Sequence, residues 1–399
     1  MKSSRLIIFG VLILDIISIG IMIPAFDVMR TFYHLSDWTG NILGQTIALS
    51  PVTMISLGIA IYSLCAFFSA PILGRLSDKY GRKYPLIICV IWTCLSYLLL
   101  LVTQNYWWYL ISRILNGLTG GNISIIQAIL ADISTTTEER NKNFGLLGAI
   151  FGIGFIIGPL LGTVFMKLAT IETIFVFWAL FSAIEVIAIA VQYKETHTPD
   201  KTIKISLNLA APFIRYFGMK TISRYLWSYL MLNTGIFLFQ AVMTLAISQY
   251  FGVPGEDIGY YLAIQGVLIA INQGYLFSRF WTKKFTPYAS IIGLHIVGMI
   301  VFMMMGLVQN WTFFVILWLG ISPLSSLIGA FYTTEVIAHT DKKEAGGVNG
   351  ILGSIGSITM IVGPIIGGFL LSTSIRTFWW TAFFVFVSLL IMLFQRKKI

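Results

Sequence analysis

Charge is what this sequence has least of. Asp, Glu, Lys and Arg together make up 11% of it, where a soluble domain carries about 25%. A chain so poor in charge cannot cover a water-facing surface, which excludes an ordinary soluble enzyme or binding module. Acids are scarcer still, 16 against 26 bases. Cysteine is nearly missing: Cys65, Cys89 and Cys94 fall in apolar runs with neither disulfide nor metal-ligand spacing. No nucleophile–base pair, metal cluster or phosphate loop stands out. The chain is therefore expected not to be an enzyme, and to need no cofactor and no metal.

What the sequence does have is apolar. Hydrophobic residues make up 57% and aromatics 15%, and the mean hydropathy is +0.86. A transmembrane helix needs about 20 mainly apolar residues. Twelve runs qualify, near 6–27, 51–73, 85–103, 107–132, 144–166, 173–193, 224–249, 257–280, 288–307, 311–336, 347–371 and 375–394. The first is not a signal peptide: it is too long, it carries Asp15, and eleven more follow. Two connections are longer than the rest, a partly apolar loop at 28–50 and a polar segment at 194–223. The second divides the chain into a bundle at 1–193, a cytoplasmic linker at 194–223 and a bundle at 224–399.

Lys and Arg give this map a direction. With both termini and the even-to-odd loops on one side, that side holds 22 of them and the other holds three, Arg30, Lys167 and Arg376. Arg113 alone lies within a span. Positive residues accumulate on the cytoplasmic side, so both termini are expected there, in a multi-pass protein of a bacterial inner membrane. The net charge of +10 then reflects topology and contact with anionic lipid, not nucleic acid. The chain also repeats itself. Gly158-Pro159-Leu160-Leu161-Gly162 ends span five and Gly363-Pro364-Ile365-Ile366-Gly367 ends span eleven, an offset of 205 residues. One fixed offset between two sets of six spans indicates parallel repeats about an axis along the membrane normal.

The loop after span two reads Gly74-Arg75-Leu76-Ser77-Asp78-Lys79-Tyr80-Gly81-Arg82-Lys83. A basic turn explains its charges, but not the glycines seven apart or the single acid among four bases. It resembles the signature loop of the major facilitator superfamily. The resemblance implies a fold of two pseudo-symmetric six-helix bundles and a gating role for Gly74, Asp78, Gly81, Arg82 and Asp132. In the family the acid at Asp78 docks on the start of span eleven in the outward-open state, and the acid at Asp132 pairs with the arginine at Arg82. A carboxylate at a helix N-terminus contributes about 0.3–1 kcal/mol when exposed and up to ~2 when partly buried, enough to bias a two-state equilibrium without locking it. The second-half counterpart, Arg279 to Phe285, lacks the acid and both glycines.

Three further motifs carry the resemblance toward drug:proton antiporters. Span four holds Arg113, either snorkelling to the interface near Tyr106-Trp107-Trp108 or held in the bundle, as in the family motif tied to proton coupling. Span five carries Gly154, Gly158, Pro159 and Gly162; its glycines form a smooth face, expected to meet the other half, and Gly-Pro-x-x-Gly resembles the mark of antiporters. Span one runs Leu14-Asp15 through Gly20 to Pro24 and resembles the tetracycline-efflux branch. Asp15 and Glu185 each lie mid-span, at about 2.5–3.5 kcal/mol on insertion scales. Each is either hydrogen-bonded within the bundle or a protonatable site, since leaving water favours a neutral carboxyl. With Arg113 they form the expected proton-coupling group.

Gln240, Gln265, Asn272 and Gln273 are candidates to line a substrate cavity or to bond between helices, His295 reads as a packed residue, and Glu335 mirrors Asp132. Tetracycline exporters carry an acid in span nine; this chain has His295 there, which weakens tetracycline as the cargo. The expected function is a proton-coupled antiporter, working as a monomer, that exports a small amphipathic organic compound or drug by alternating access. Protons, the small-molecule substrate and membrane lipids are its expected partners, with no nucleic acid. A transporter for a dedicated metabolite such as a siderophore, sugar or amino acid stays open, in either direction. A non-transporting receptor is a remoter reading, since it would usually bring an added soluble domain.

Overall fold

The structure is a computed structural model describing residues 2–42, 45–102, 104–120, 122–134, 137–202, 210–340, 345–371 and 377–394. Long apolar runs with no water to satisfy their backbone must bond internally, so they form helices. In chain order these are α1 (Lys2–Phe32), α2 (Pro51–Tyr80), α3 (Lys83–Val102), α4 (Tyr106–Thr119), α5 (Asn122–Asp132), α6 (Thr137–Leu168), α7 (Ile171–Gln192) and α8 (Ala210–Gly218). There follow α9 (Ser223–Phe251), α10 (Gly255–Ile271), a π-helix (Asn272–Trp281), α11 (Thr282–Lys284), α12 (Pro287–Met305), α13 (Trp311–Ala338), α14 (Ala345–Leu371) and α15 (Thr377–Phe394). Ten described helical segments are long and apolar enough to cross a membrane. Span five appears as the shorter apolar stretch Gly152–Leu168 within α6, and span eight as α10 continued by the π-helix. The chain is an all-α membrane protein, as its composition predicts.

Local chemistry sets several helix ends. The side chain of Asn105 accepts from Trp107 N at 2.9 Å, and that of Asn310 from Phe313 N at 3.1 Å, each satisfying an orphan amide of the first turn. Gly252, with φ +65°, closes α9. The loop expected at 28–50 is more ordered than its sequence suggested. α1 continues to Phe32, and β1 (Trp38–Ile42) pairs antiparallel with β2 (Gln45–Leu49), Trp38 opposite Leu49 and Ile42 opposite Gln45.

Two compact units form. The first comprises Met1–Ser36, Ile61–Leu207 and Pro254–Ala263; the second comprises Asp37–Ala60, Asn208–Val253 and Ile264–Ile399. In the first, α1 packs along α6 and α3 lies against α4 and α7. In the second, α9 packs on α14 and α15, and α12 on α13 and α15. The repeated Gly-Pro motif therefore performs the same task in each unit. Gly158 of α6 abuts α1, and Gly363 of α14 abuts α9 at Phe237 and Leu238.

Candidate functional site

The loop between α2 and α3 is built around Arg82, whose side chain is 5% exposed. Its Nε donates to Asp132 Oδ2 at 2.9 Å, and its Nη1 donates to Ser77 Oγ at 2.7 Å and to Asp78. Burial opposes the guanidinium charge, but Asp132 and Asp78 outweigh it and hold Arg82 above its ordinary value. The structure thus brings together three residues that the sequence singled out, Asp78, Arg82 and Asp132. Ser77 also donates to Gly74 O at 2.6 Å, which ties Gly74 to the same turn.

Sequence reasoning missed Glu195, just past α7. Its carboxylate accepts from Arg82 N and Lys83 N, and from Thr196 N and His197 N, all at 3.0 Å. The first two amides open α3, where backbone donors lack helical partners and a negative charge is favoured. Partial burial alone would raise the Glu195 carboxyl; the four backbone N–H groups overcome it and lower it below the usual value. Gly81 makes this docking possible. It has φ +92°, and a Cβ there would lie 2.6 Å from Glu195 Oε2. His197 Nε2 donates to Asp78 O at 3.1 Å. The signal available in the sequence was an acid directly following a span, with no partner on its own helix.

Deeper in the same unit, Asn122 Nδ2 donates to Asp15 Oδ2 at 2.6 Å. Glu185 is 4% exposed on α7, which packs against α1, and it lies within reach of the Asp15 charge. Arg113 is buried, which removes the snorkelling reading. Its guanidinium lies 5.6 Å from the Tyr109 ring, and Nη2 makes a long 3.5 Å contact with Ser112 Oγ. Asn122 was not singled out from the sequence, because one amide among the apolar residues of span four carries no pattern.

The glycine face of α6 packs on α1. Gly154 and Gly158, four residues apart and so on one face, abut Ile16 and Gly20 of α1. On α1, Gly20 lets the two backbones approach at this level. Pro159 and Thr163 form a second contact, with Gly259 at the start of α10. Gly162, one turn further on, is also buried.

The candidate cavity residues of the second unit divide. Asn272 Nδ2 donates to Pro323 O at 2.6 Å, and its Oδ1 accepts from Trp281 Nε1 at 3.0 Å. Gln273 Nε2 donates to Ser326 O at 3.1 Å. Both amides bond to neighbouring helix structure. Gln240 is exposed and Gln265 partly so. His295 is fully buried: Nδ1 donates to Ile291 O at 2.7 Å, and Nε2 lies 2.8 Å from Ser388 Oγ. Ser228 completes a clasp of α9, α12 and α15, matching the packed role expected of the histidine. Glu335 accepts from Tyr225 Oη at 3.0 Å, to which Arg224 donates at 2.8 Å. An arginine thus reaches the acid as in the first unit, with a tyrosine between them.

A family model described as the Major Facilitator Superfamily matches residues 6–338. Among characterised relatives, the class H tetracycline resistance protein of Pasteurella multocida is 27% identical over 387 residues, 94% of this chain and 90% of its own length. The quinolone resistance protein NorA of Staphylococcus aureus (strain MRSA252) is 26% identical over 384 residues, covering 94% and 92%. The multidrug resistance protein 1 of Bacillus subtilis (strain 168) is 26% identical over 368 residues, covering 92% and 89%. Among solved structures, the nucleoside transporter NupG superposes with a TM-score of 0.78 at 13% identity over the whole of both chains.

Proposed function

The chain belongs to the major facilitator superfamily, and from that premise we propose that it is a proton-coupled antiporter exporting a small amphipathic organic compound. Its relatives are drug-efflux transporters at 26–27% identity, which supports organic cargo. The observation that carries the coupling is Asp15, a carboxyl within a membrane span held at 2.6 Å by Asn122, with the buried Glu185 on α7, a helix that packs against α1. A charge there is costly, so the carboxyl gains from taking a proton or pairing with a cationic cargo. The two compete, and competition at one site is what couples opposite fluxes.

The two six-span halves, 1–193 and 224–399, rock about the site, and the 194–223 linker joins them on the cytoplasmic side with both termini. The Lys and Arg asymmetry supports that orientation. Arg82, held by Asp78 and Asp132, latches one state. A proton crossing 100 mV supplies about 2.3 kcal/mol, enough for roughly a fifty-fold gradient. The test is substrate-driven proton release from proteoliposomes. Wild-type protein is expected to release protons when cargo is added, and Asp15→Asn to lose that release. Unaltered coupling in both Asp15→Asn and Glu185→Gln would remove the assignment.

A further inference from the structure

The polar segment after α7 begins as a strap across the signature loop. Tyr193 Oη lies 2.8 Å from Thr196 Oγ1, and Glu195 accepts from the amides that open α3. Beyond them the chain turns onto the end of α2. The Asp78 carbonyl, in the last turn of that helix, accepts from His197 Nε2 at 3.1 Å and from Asp200 N at 3.2 Å. A carbonyl of a last turn has no partner within its own helix, and the strap supplies two. The His197 ring also reaches the Arg82 cluster. Its Nδ1 lies 3.9 Å from Asp132 Oδ2, the oxygen to which Arg82 Nε donates at 2.9 Å.

The state of one imidazole nitrogen follows from the bond that the other makes. Nε2 gives its hydrogen to Asp78 O, so in the neutral ring Nδ1 turns a lone pair toward a carboxylate and gains nothing from it. Protonation gives Nδ1 a hydrogen to share with Asp132. It also places a positive charge at the C-terminal end of α2, where the helix dipole favours one. A carboxylate offers about four acceptor sites, so the ring does not displace Arg82. Among the described residues, Asp78, Asp132, Glu195 and Asp200 favour the added charge, and Arg82 and Lys83 oppose it. Arg82 is already engaged by two of those acids, and the Lys83 ammonium donates to Ala190 O on α7. We propose that His197 is a positioning residue for the Arg82 latch, and that its protonation tightens the strap on Asp78 and Asp132 as the cytoplasmic side acidifies. This rests on the antiport reading and on the cytoplasmic placing of the linker. Each turnover then delivers protons to the face that carries His197, and the latch strengthens and slows the cycle as they accumulate. The His197 side chain is 27% exposed, which gives it exchange with that solvent. His339, at the end of α13, is built differently. Its Nδ1, 4.0 Å from Glu335 Oε1, already donates to Glu335 O at 2.8 Å, so protonation adds no hydrogen there.

The experiment uses the full-length protein in lipid nanodiscs with no cargo added. Backbone hydrogen exchange is read by mass spectrometry at about pH 6 and about pH 8, on either side of the ordinary histidine transition, and corrected for the intrinsic pH dependence of exchange. Glu195, held low by four backbone N–H groups, and Asp200, held low by the hydroxyl and amide of Thr202, stay ionised over this interval. In wild type, 195–202 is expected to exchange about two- to fivefold more slowly at the lower pH, the scale of one charge at a partly exposed helix end. The signature loop at 74–83 is expected to follow it. His197→Gln, whose amide still donates to Asp78 O, is expected to exchange alike at both pH values, and His339→Gln to keep the wild-type response. Equal exchange of 195–202 at both pH values in wild type overturns the proposal. So does a response that survives His197→Gln. A response of the strap that 74–83 does not share also overturns it, because His197 would then titrate without holding the latch. Cargo enters none of these readings, which separates them from the antiport. Loss of substrate-driven proton release with the pH response intact removes the antiport and leaves the strap. A flat response with release intact removes the strap and leaves the antiport.

Discussion

Gly20 of α1 and Gly158 of α6 meet backbone to backbone. A Cβ built on Gly158 would lie 2.7 Å from the Gly20 Cα, and one built on Gly20 would lie 2.9 Å from the Gly158 Cα. The contact lies five residues beyond Asp15 and one before Pro159, so the close approach fixes the carboxyl-bearing helix against the helix with the Gly-Pro motif. Gly158→Ala forces the helices apart and is expected to cost about 1–3 kcal/mol, the range for overpacking. Gly152→Ala on the same helix meets nothing within 4 Å and is expected to stay within about 0.5 kcal/mol. Thermal unfolding of both variants in detergent checks the difference; equal losses would mean that the close contact does not govern packing.

Arg82 binds two carboxylates and a hydroxyl from one guanidinium. Lysine offers a single point charge and cannot span them. Arg82→Lys is therefore expected to lose most of the transport rate, with a stability loss of about 1–3 kcal/mol. That is below the 3–5 typical of a fully buried pair, because the Asp78 and Asp132 side chains are 37% and 21% exposed and solvent screens them. Transport assays beside thermal unfolding separate the two effects.

Glu195 gives a pH signature. Its carboxyl is lowered in the folded state from 4.5 by the backbone N–H groups that outweigh its burial. A group with a depressed folded value contributes fully above its unfolded value and loses that contribution as pH falls through the folded one. The difference in melting temperature between wild type and Glu195→Gln is expected to be constant near neutrality and to shrink below about pH 4.5. Its size is a few tenths to about 1 kcal/mol, because the group is partly exposed. A difference that grows on acidification would contradict the docking.

Much of this was legible because lipid imposes coarse rules. Span positions follow from apolar length, and the Asp78–Arg82–Asp132 cluster follows from a local motif with one long-range partner. Glu195 and Asn122 escaped because each acts through a partner far away in sequence, and an isolated polar residue has no periodicity. The α1 partner of the α6 glycine face was hidden for a related reason. A smooth stripe states that something comes close, and only the small residue at Gly20 shows what does.

The π-helix at Asn272–Trp281 was equally invisible, since an i→i+5 register is held by tertiary partners and not by propensity. Asn272 is its anchor. It is 4% exposed, it donates across to Pro323 O at 2.6 Å and it accepts from Trp281 Nε1 at 3.0 Å, near the far end of the same segment. Asn272→Ala leaves the partly buried Pro323 carbonyl and Trp281 indole N–H without that partner, at about 1–3 kcal/mol for each group left unpaired. Ser326 Oγ, already bonded to Pro323 O at 2.7 Å, retains part of the first. The expected outcome is a loss of about 2 kcal/mol in unfolding, with faster hydrogen exchange confined to 272–281 as the segment relaxes toward α-helix. Gln273→Ala, at an exposed position, is expected to change stability by less than about 0.5 kcal/mol. If Asn272→Ala instead impairs cargo binding with stability and exchange unchanged, Asn272 faces the cavity in the working protein and its structural role is secondary.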